Sequence, residues 1–167
     1  GLAGSSAIIA AAIRAIMEFY ELDEKDIPTE ILPNLILSVE TEELDIPAGL
    51  QDRVVQSYGG MVYMDFDEDY FRQNGHGIYE QLPLDTLPPM YIAYTDAGSD
   101  SGAIHSAVRY RYERGDRDVV EAMQRFGEYT DEARQALIER DYDRLSRLMD
   151  QNFDLRRKLY GDEYVGE

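Results

Sequence analysis

The chain contains no cysteine. This excludes disulfide cross-links and thiolate metal sites, and it fits a reducing compartment. Lysine is almost absent too: Lys25 and Lys158 are the only two, so 14 of the 16 basic residues are arginine. Positive charge of either kind is scarce beside 34 acidic residues, and the net charge is −18. Such a surface repels nucleic acid and anionic lipid, so neither is expected as a partner. No apolar run is long enough to cross a bilayer, and the run from Ala7 to Met17 is interrupted by Arg14. No basic segment precedes that run, as a secretory signal would require, and the expected location is the cytoplasm.

What the chain does have is 44% hydrophobic residues over 167 positions, enough for one domain or parts of two. The acids are spread along its whole length rather than gathered in a tail. Adaptation to high salt would account for this, since screening relieves the repulsion while the surface stays soluble. The first residue is Gly1 rather than an initiator methionine, so the chain is expected to be processed or a fragment.

A glycine-rich opening, Gly1-Leu2-Ala3-Gly4-Ser5-Ser6, runs straight into the apolar segment Ala7–Tyr20. The segment is apolar on nearly every side and predicts a buried helix. A helix start with small residues offers unpaired amides and a positive dipole end, which suit a phosphate. Ser6 could add a hydroxyl to a metal held by that phosphate. With no lysine in the loop this is not a Walker-type loop, and a serine-capped buried helix is the plainer alternative. A second helix is predicted from Pro28 to about Glu43, with Leu32, Leu35, Ile36 and Val39 inward. Glu40 falls at the border of that face, and with Glu42 and Glu43 beside it spacing alone favours a solvated edge.

The segment Ile46–Gly60 predicts a break at Pro47 and Gly49 and then a short helix with Val54, Val55 and Tyr58 inward. Gly59-Gly60 ends that helix, and the strand Met61–Phe66 follows. Asp52 falls in the first turn, where backbone amides would hold its carboxylate. A capping role is the bland alternative. Beyond it, Tyr70–Gly77 is predicted as loop with His76 solvated, and Gly77–Leu82 and Met90–Tyr94 as strands. Asp116, Thr130 and Asp141 are each expected to open a helix. Strands followed only by helices predict an α+β architecture. Asp, Ser and His crowd together in Thr95–Ser106, but no Gly-x-Ser-x-Gly elbow is present and a hydrolase is disfavoured.

The opening Gly-Leu-Ala-Gly-Ser-Ser-Ala before an apolar helix resembles the phosphate-binding motif of the GHMP kinases. Ala48-Gly49-Leu50-Gln51-Asp52-Arg53, with Gly59-Gly60 behind it, resembles the segment that supplies their catalytic aspartate. The wording Ile46–Gln56 and Tyr58–Phe66 is most similar to the glucuronokinase branch, with heptose-phosphate kinases next. The resemblance implies a GHMP-kinase-like two-layer sandwich fragment. Residues 1–66 would belong to the ATP-binding N-terminal lobe and 67–167 to the C-terminal lobe.

It also implies ATP and Mg²⁺ as cofactors and a small sugar as acceptor, with no implication for oligomeric state. Gly1, Gly4, Ser5 and Ser6 would cradle the phosphates. Ser6 and Glu40 would hold the metal, with Glu43 as the alternative acid. Asp52 would act on the sugar hydroxyl. Ser101, His105, Arg109 and Arg156 would contact the sugar, Arg156 being suited to grip a uronate bidentately. Arg53 has no assigned role; it would pair with Asp52 or cover the surface. The amino-terminal strands and a carboxy-terminal glycine-rich motif of the family are missing, so the isolated chain is expected to transfer phosphate poorly. A catalytically silent acidic domain that binds a ligand or partner is the alternative.

Overall fold

The computed structural model describes residues 3–46, 48–92 and 101–161, with the backbone alone for 101–106. The chain divides into two compact units, residues 1–84 and 85–167.

The first unit is built on α1 (Gly4–Phe19), α2 (Leu32–Ser38) and α3 (Leu50–Tyr58). Ala10 of α1 packs on Leu32 and Ile36 of α2, and Ile9, Ile13, Met17 and Ile27 close around them. Val54 of α3 is fully buried, like Ile36, and each contributes about 1.5–3 kcal/mol by leaving water. Of the predicted inward face of α3, Val55 turns outward, and Arg53 turns inward instead.

α1 is not buried all round as its composition suggested. Only one face packs, and Ile8 and Phe19 on the other are 73% and 77% exposed. Uniform apolarity hides which side a helix will bury, because no polar stripe marks the outer face.

α3 ends at Gly59, and Gly59 and Gly60 both take positive φ (71° and 68°), which explains the pair of glycines at this turn. β1 (Met61–Asp65) then pairs antiparallel with β2 (Ile78–Leu82), in the register Met61 opposite Leu82 to Asp65 opposite Ile78. Between them lies α4 (Glu68–Asn74), where a loop was expected. The acidic Asp67-Glu68-Asp69 is a helix start. The Asp67 carboxylate accepts from the Tyr70 amide at 2.8 Å, and Arg72 pairs with Glu68 and Asp69. His76 is correspondingly half-buried rather than solvated, with its ring against Tyr70 and Tyr79.

The second unit contains α5 (Ser101–Glu113), α6 (Arg117–Glu139) and α7 (Tyr142–Tyr160). α6 is one helix of 23 residues where two were expected. Val119, Ala122, Phe126, Tyr129, Ala133 and Ala136 recur every three or four positions straight through Gly127, so one stripe serves both halves. A single glycine costs only about 1 kcal/mol in such a helix. Thr130 opens nothing; its hydroxyl donates to the Phe126 carbonyl at 2.9 Å inside the helix. Asp141 does open the last helix, its carboxylate accepting from the Arg144 amide at 3.0 Å. Ala136, Leu145 and Leu148 form the core between α6 and α7, while Met149 is exposed.

The third strand expected at Met90–Tyr94 is not found over residues 90–92. They follow Pro88-Pro89 in irregular chain, Tyr91 and Ile92 are exposed, and no described strand pairs with them. Residues 93–94 lie outside the described residues. The α+β class stands: a helix-rich chain with a small two-stranded antiparallel sheet.

Candidate functional site

The site is assembled at the start of α1. Ala3 occupies the N-cap in a left-handed conformation (φ 53°), and no side chain caps the helix or places a negative charge in its first turn. The amides of Gly4, Ser5 and Ser6 therefore open the helix at a positive dipole end. Ser6 is buried, and its hydroxyl donates to the Ala3 carbonyl at 2.9 Å. Gly1 and Pro47 lie outside the described residues.

α3 begins in the same way. Gly49 is its N-cap in extended backbone, again without a side-chain cap, and Asp52 lies in the first turn. Arg14, further along α1, donates to the Gln56 and Ser57 carbonyls at the end of α3, the latter at 3.0 Å. At the opposite end Ser5, Glu40, Arg53 and Gly49 form a continuous series of neighbours. The two helices thus start on the same side of the unit, and two uncapped helix starts converge there.

Glu40 sits between them. Sequence spacing favoured a solvated edge, but the residue is 0% exposed. The reason is local: α2 passes into a π-helical turn over Val39–Glu43, and Glu40, one turn after the buried Ile36, is carried inward. Glu42 and Glu43 remain exposed, so Glu43 is not the buried acid. π-Turns of this kind recur at functional sites.

A partner 13 residues along the chain makes the burial tolerable. Arg53 donates through Nε to Glu40 Oε2, and its Nη2 forms an ion pair with the same oxygen. The other oxygen, Oε1, has no hydrogen-bond partner. The Arg53 hydrogen bond holds the Glu40 carboxyl below the usual carboxylate range. Burial works against it, while the nearby Ser5 hydroxyl and the Arg53 charge add to the lowering. Arg53 itself is 5% exposed. Its Nη1 donates to the Gly49 carbonyl at 3.0 Å and meets Asp52 Oδ2 at 3.3 Å.

The Asp52 side chain is 56% exposed, and among the described residues Arg53 is its partner. The expectation that backbone amides hold it is corrected: an arginine does. Sequence reasoning missed Arg53 as the residue that joins the two acids. Its position next to Asp52 was visible, but its direction into the interior was not.

The oxygen donors gathered here suit a hard cation such as Mg²⁺, and an unpartnered buried carboxylate oxygen is a place for one. Among the described residues no group of three or more acids and histidines is close enough to hold a metal alone. A cation here would be shared with phosphate oxygens, the usual arrangement for Mg²⁺.

The proposed sugar contacts belong to the second unit. Arg109 on α5 pairs with Glu113 at 2.9 Å on an exposed surface. Arg156 on α7 is exposed, with its guanidinium 5.7 Å from the centre of the Tyr160 ring. Ser101 and His105 lie in the helical backbone of α5, and their side chains fall outside the described residues, as does Thr95–Asp100. Two hollows are lined by residues outside the cluster. One of about 560 Å³ is lined by Glu24, Glu30, Tyr58 and Gln81 among others, and one of about 240 Å³ lies between α6 and α7. Among the described residues no helix is long and apolar enough to cross a membrane.

Comparison with known proteins finds relatives of this chain. Residues 1–60, which hold every member of the cluster, match the family described as GHMP kinases N terminal domain. The amino-terminal third of the chain is therefore similar to that family. The chain is similar to glucuronokinase 1 of Arabidopsis thaliana, at 45% identity over 166 residues, which cover 99% of this chain and 45% of that protein. It is equally similar to probable glucuronokinase 2 of the same plant, at 46% identity over 167 residues and the same coverage. The chain therefore spans somewhat less than half the length of these relatives. No solved structure matches it.

Proposed function

We propose that this chain is part of an ATP-dependent sugar kinase that transfers the γ-phosphoryl group to the anomeric hydroxyl of a sugar or sugar acid such as glucuronate. One observation carries the proposal: the starts of α1 and α3 converge on a buried, ionised Glu40 with Asp52 one residue from the arginine that holds it. The similarity to glucuronokinases supports the choice of acceptor.

In this proposal the amides of Gly4, Ser5 and Ser6 bind the nucleotide phosphates, with Gly1 completing the loop. Glu40 and Ser6 would hold Mg²⁺, which would supply charge neutralisation for the phosphoryl group when bound. Because Ser6 donates its proton to Ala3, its oxygen lone pairs are directed elsewhere. Asp52 orients the acceptor hydroxyl and accepts its proton as the oxygen attacks in line. Positioning and charge stabilisation are most of what such a transfer needs. Ser101, His105, Arg109 and Arg156 contact the sugar. Residues 1–66 fall in the ATP-binding lobe and 67–167 in the other, and the protein acts in the cytoplasm, its surface adapted to salt.

Assay of the full-length parent protein with ATP, Mg²⁺ and a panel of glucuronate, galactose and heptose 7-phosphate tests the proposal. Mg²⁺-dependent formation of a sugar 1-phosphate supports it. Absence of transfer to any member of the panel, with nucleotide still bound, favours a silent ligand-binding domain instead.

A further inference from the structure

We propose that Arg53 is a positioning residue for phosphoryl transfer: one guanidinium fixes Glu40, the start of α3 and Asp52 relative to one another. This rests on the kinase function proposed above. Three observations lead to it. Arg53 is almost fully buried beside a fully buried Glu40, an environment that opposes charge on both. A pair of apolar side chains of similar volume would be tolerated there at least as well, so stability alone does not call for the ion pair.

The guanidinium is also divided by direction. Nε donates to Glu40 Oε2 and Nη2 pairs with the same oxygen, which leaves Oε1 buried without a hydrogen-bond partner. Nη1 is left for the Gly49 carbonyl and Asp52 Oδ2. Finally, Arg53 is the partner that holds the half-exposed Asp52 carboxylate among the described residues.

A planar fork with separate donors can serve three acceptors at fixed angles. An ammonium also has three donors, but all on one atom, so it cannot span acceptors that lie along the length of the fork. Arginine here therefore sets the separation of two acids that lie on different elements, the π-turn after α2 and the first turn of α3. The hydroxyl-orienting carboxylate and the metal-facing carboxylate are held by the same rigid group. Displacement of a reacting group by about 1 Å costs on the order of 100-fold in rate.

The test is kinetic, in the full-length parent protein, with Arg53→Lys as the main variant. Turnover is expressed per nucleotide-binding molecule, counted by calorimetric titration with ADP, so that a loss of folded protein does not enter the rate. The expected result is a fall in kcat of about 100-fold, with KM for sugar and affinity for ADP changed by no more than about threefold. Added methylguanidine is expected to restore part of the turnover of Arg53→Ala and none of that of Asp52→Asn. If Arg53→Lys does not fold, Arg53→Gln, which keeps one planar donor pair, takes its place with the same expectation. Turnover of the variant within about twofold of the wild type, or a fall only in step with ADP binding, overturns the inference. An inactive wild-type parent removes the kinase function and this inference together, whereas an active parent with an unaffected variant removes the inference alone.

Discussion

Replacing Arg53 with methionine removes the hydrogen bond and ion pair to Glu40 and the bond to the Gly49 carbonyl, and strands a carboxylate that is 0% exposed. Breaking a buried pair from one side costs about 3–5 kcal/mol, because the remaining charge has neither water nor partner. The contact with the half-exposed Asp52 adds at most about 1 kcal/mol after solvent screening. The expected loss at neutral pH is thus about 4 kcal/mol. For a urea dependence near 2 kcal/mol per molar, that moves the unfolding midpoint down by about 2 M.

Urea is the right denaturant here because, unlike guanidinium, it leaves ion pairs unscreened; circular dichroism follows the helices. The second half of the prediction is the double variant Glu40→Met/Arg53→Met, which removes both charges and should recover most of the loss. A single variant that loses less than about 1 kcal/mol, or a double variant as unstable as the single, would refute the reasoning.

Four further outcomes are expected. The lowered pKa of Glu40 makes its contribution to stability fully present above the ordinary value of 4.5 and lost as pH falls through the lowered value. The urea midpoint should therefore fall below pH 4.5, and the gap between wild type and Arg53→Met should narrow there, which a pH series of the same unfolding curves checks. Asp52→Asn in the full-length parent should abolish turnover while leaving calorimetric ATP binding intact. Gly77→Ala should destabilise the β1–β2 hairpin by about 1–3 kcal/mol, since the added Cβ would lie 2.6 Å from the Asp65 carbonyl oxygen and 2.9 Å from the Tyr79 ring; hydrogen exchange of the strand amides reports it. If the acidic surface is a salt adaptation, thermal unfolding from low to molar KCl should show stability rising with salt, and greatest stability at low salt would contradict it.

What could be read in the sequence was local. Glycine pairs and capping acids act over three or four residues, so the end of α3 at Gly59 and the start of α7 at Asp141 were both visible. The family motifs were likewise contiguous, and Asp52 fell on the first turn where it was expected, whereas the helix expected from Ala7 already starts at Gly4 and takes in Ser6. What escaped depends on partners distant in sequence or on a change of helical period. Glu40 looked solvated because Glu42 and Glu43 flank it, and only the π-turn and an arginine 13 positions away reverse that. Arg53 had no role because adjacency to Asp52 says nothing of which way a side chain points. Thr130 suggested a new helix start, but a stripe of apolar residues running through it and Gly127 outweighs their modest propensities. The outer face of α1 and the missing strand at residues 90–92 share one cause: hydrophobicity tells that a segment can be buried, not what lies beside it.

The central claim is that the starts of α1 and α3 form one phosphate-binding hollow facing Asp52. It is tested most directly by incubating the full-length parent protein with ATP, Mg²⁺ and glucuronate and following the products by phosphorus NMR. The account predicts ADP and a phosphate ester on the anomeric oxygen in equal amounts, both lost in Asp52→Asn. ATP left intact by a folded protein that binds it, or an ester that Asp52→Asn still forms at the wild-type rate, would contradict it.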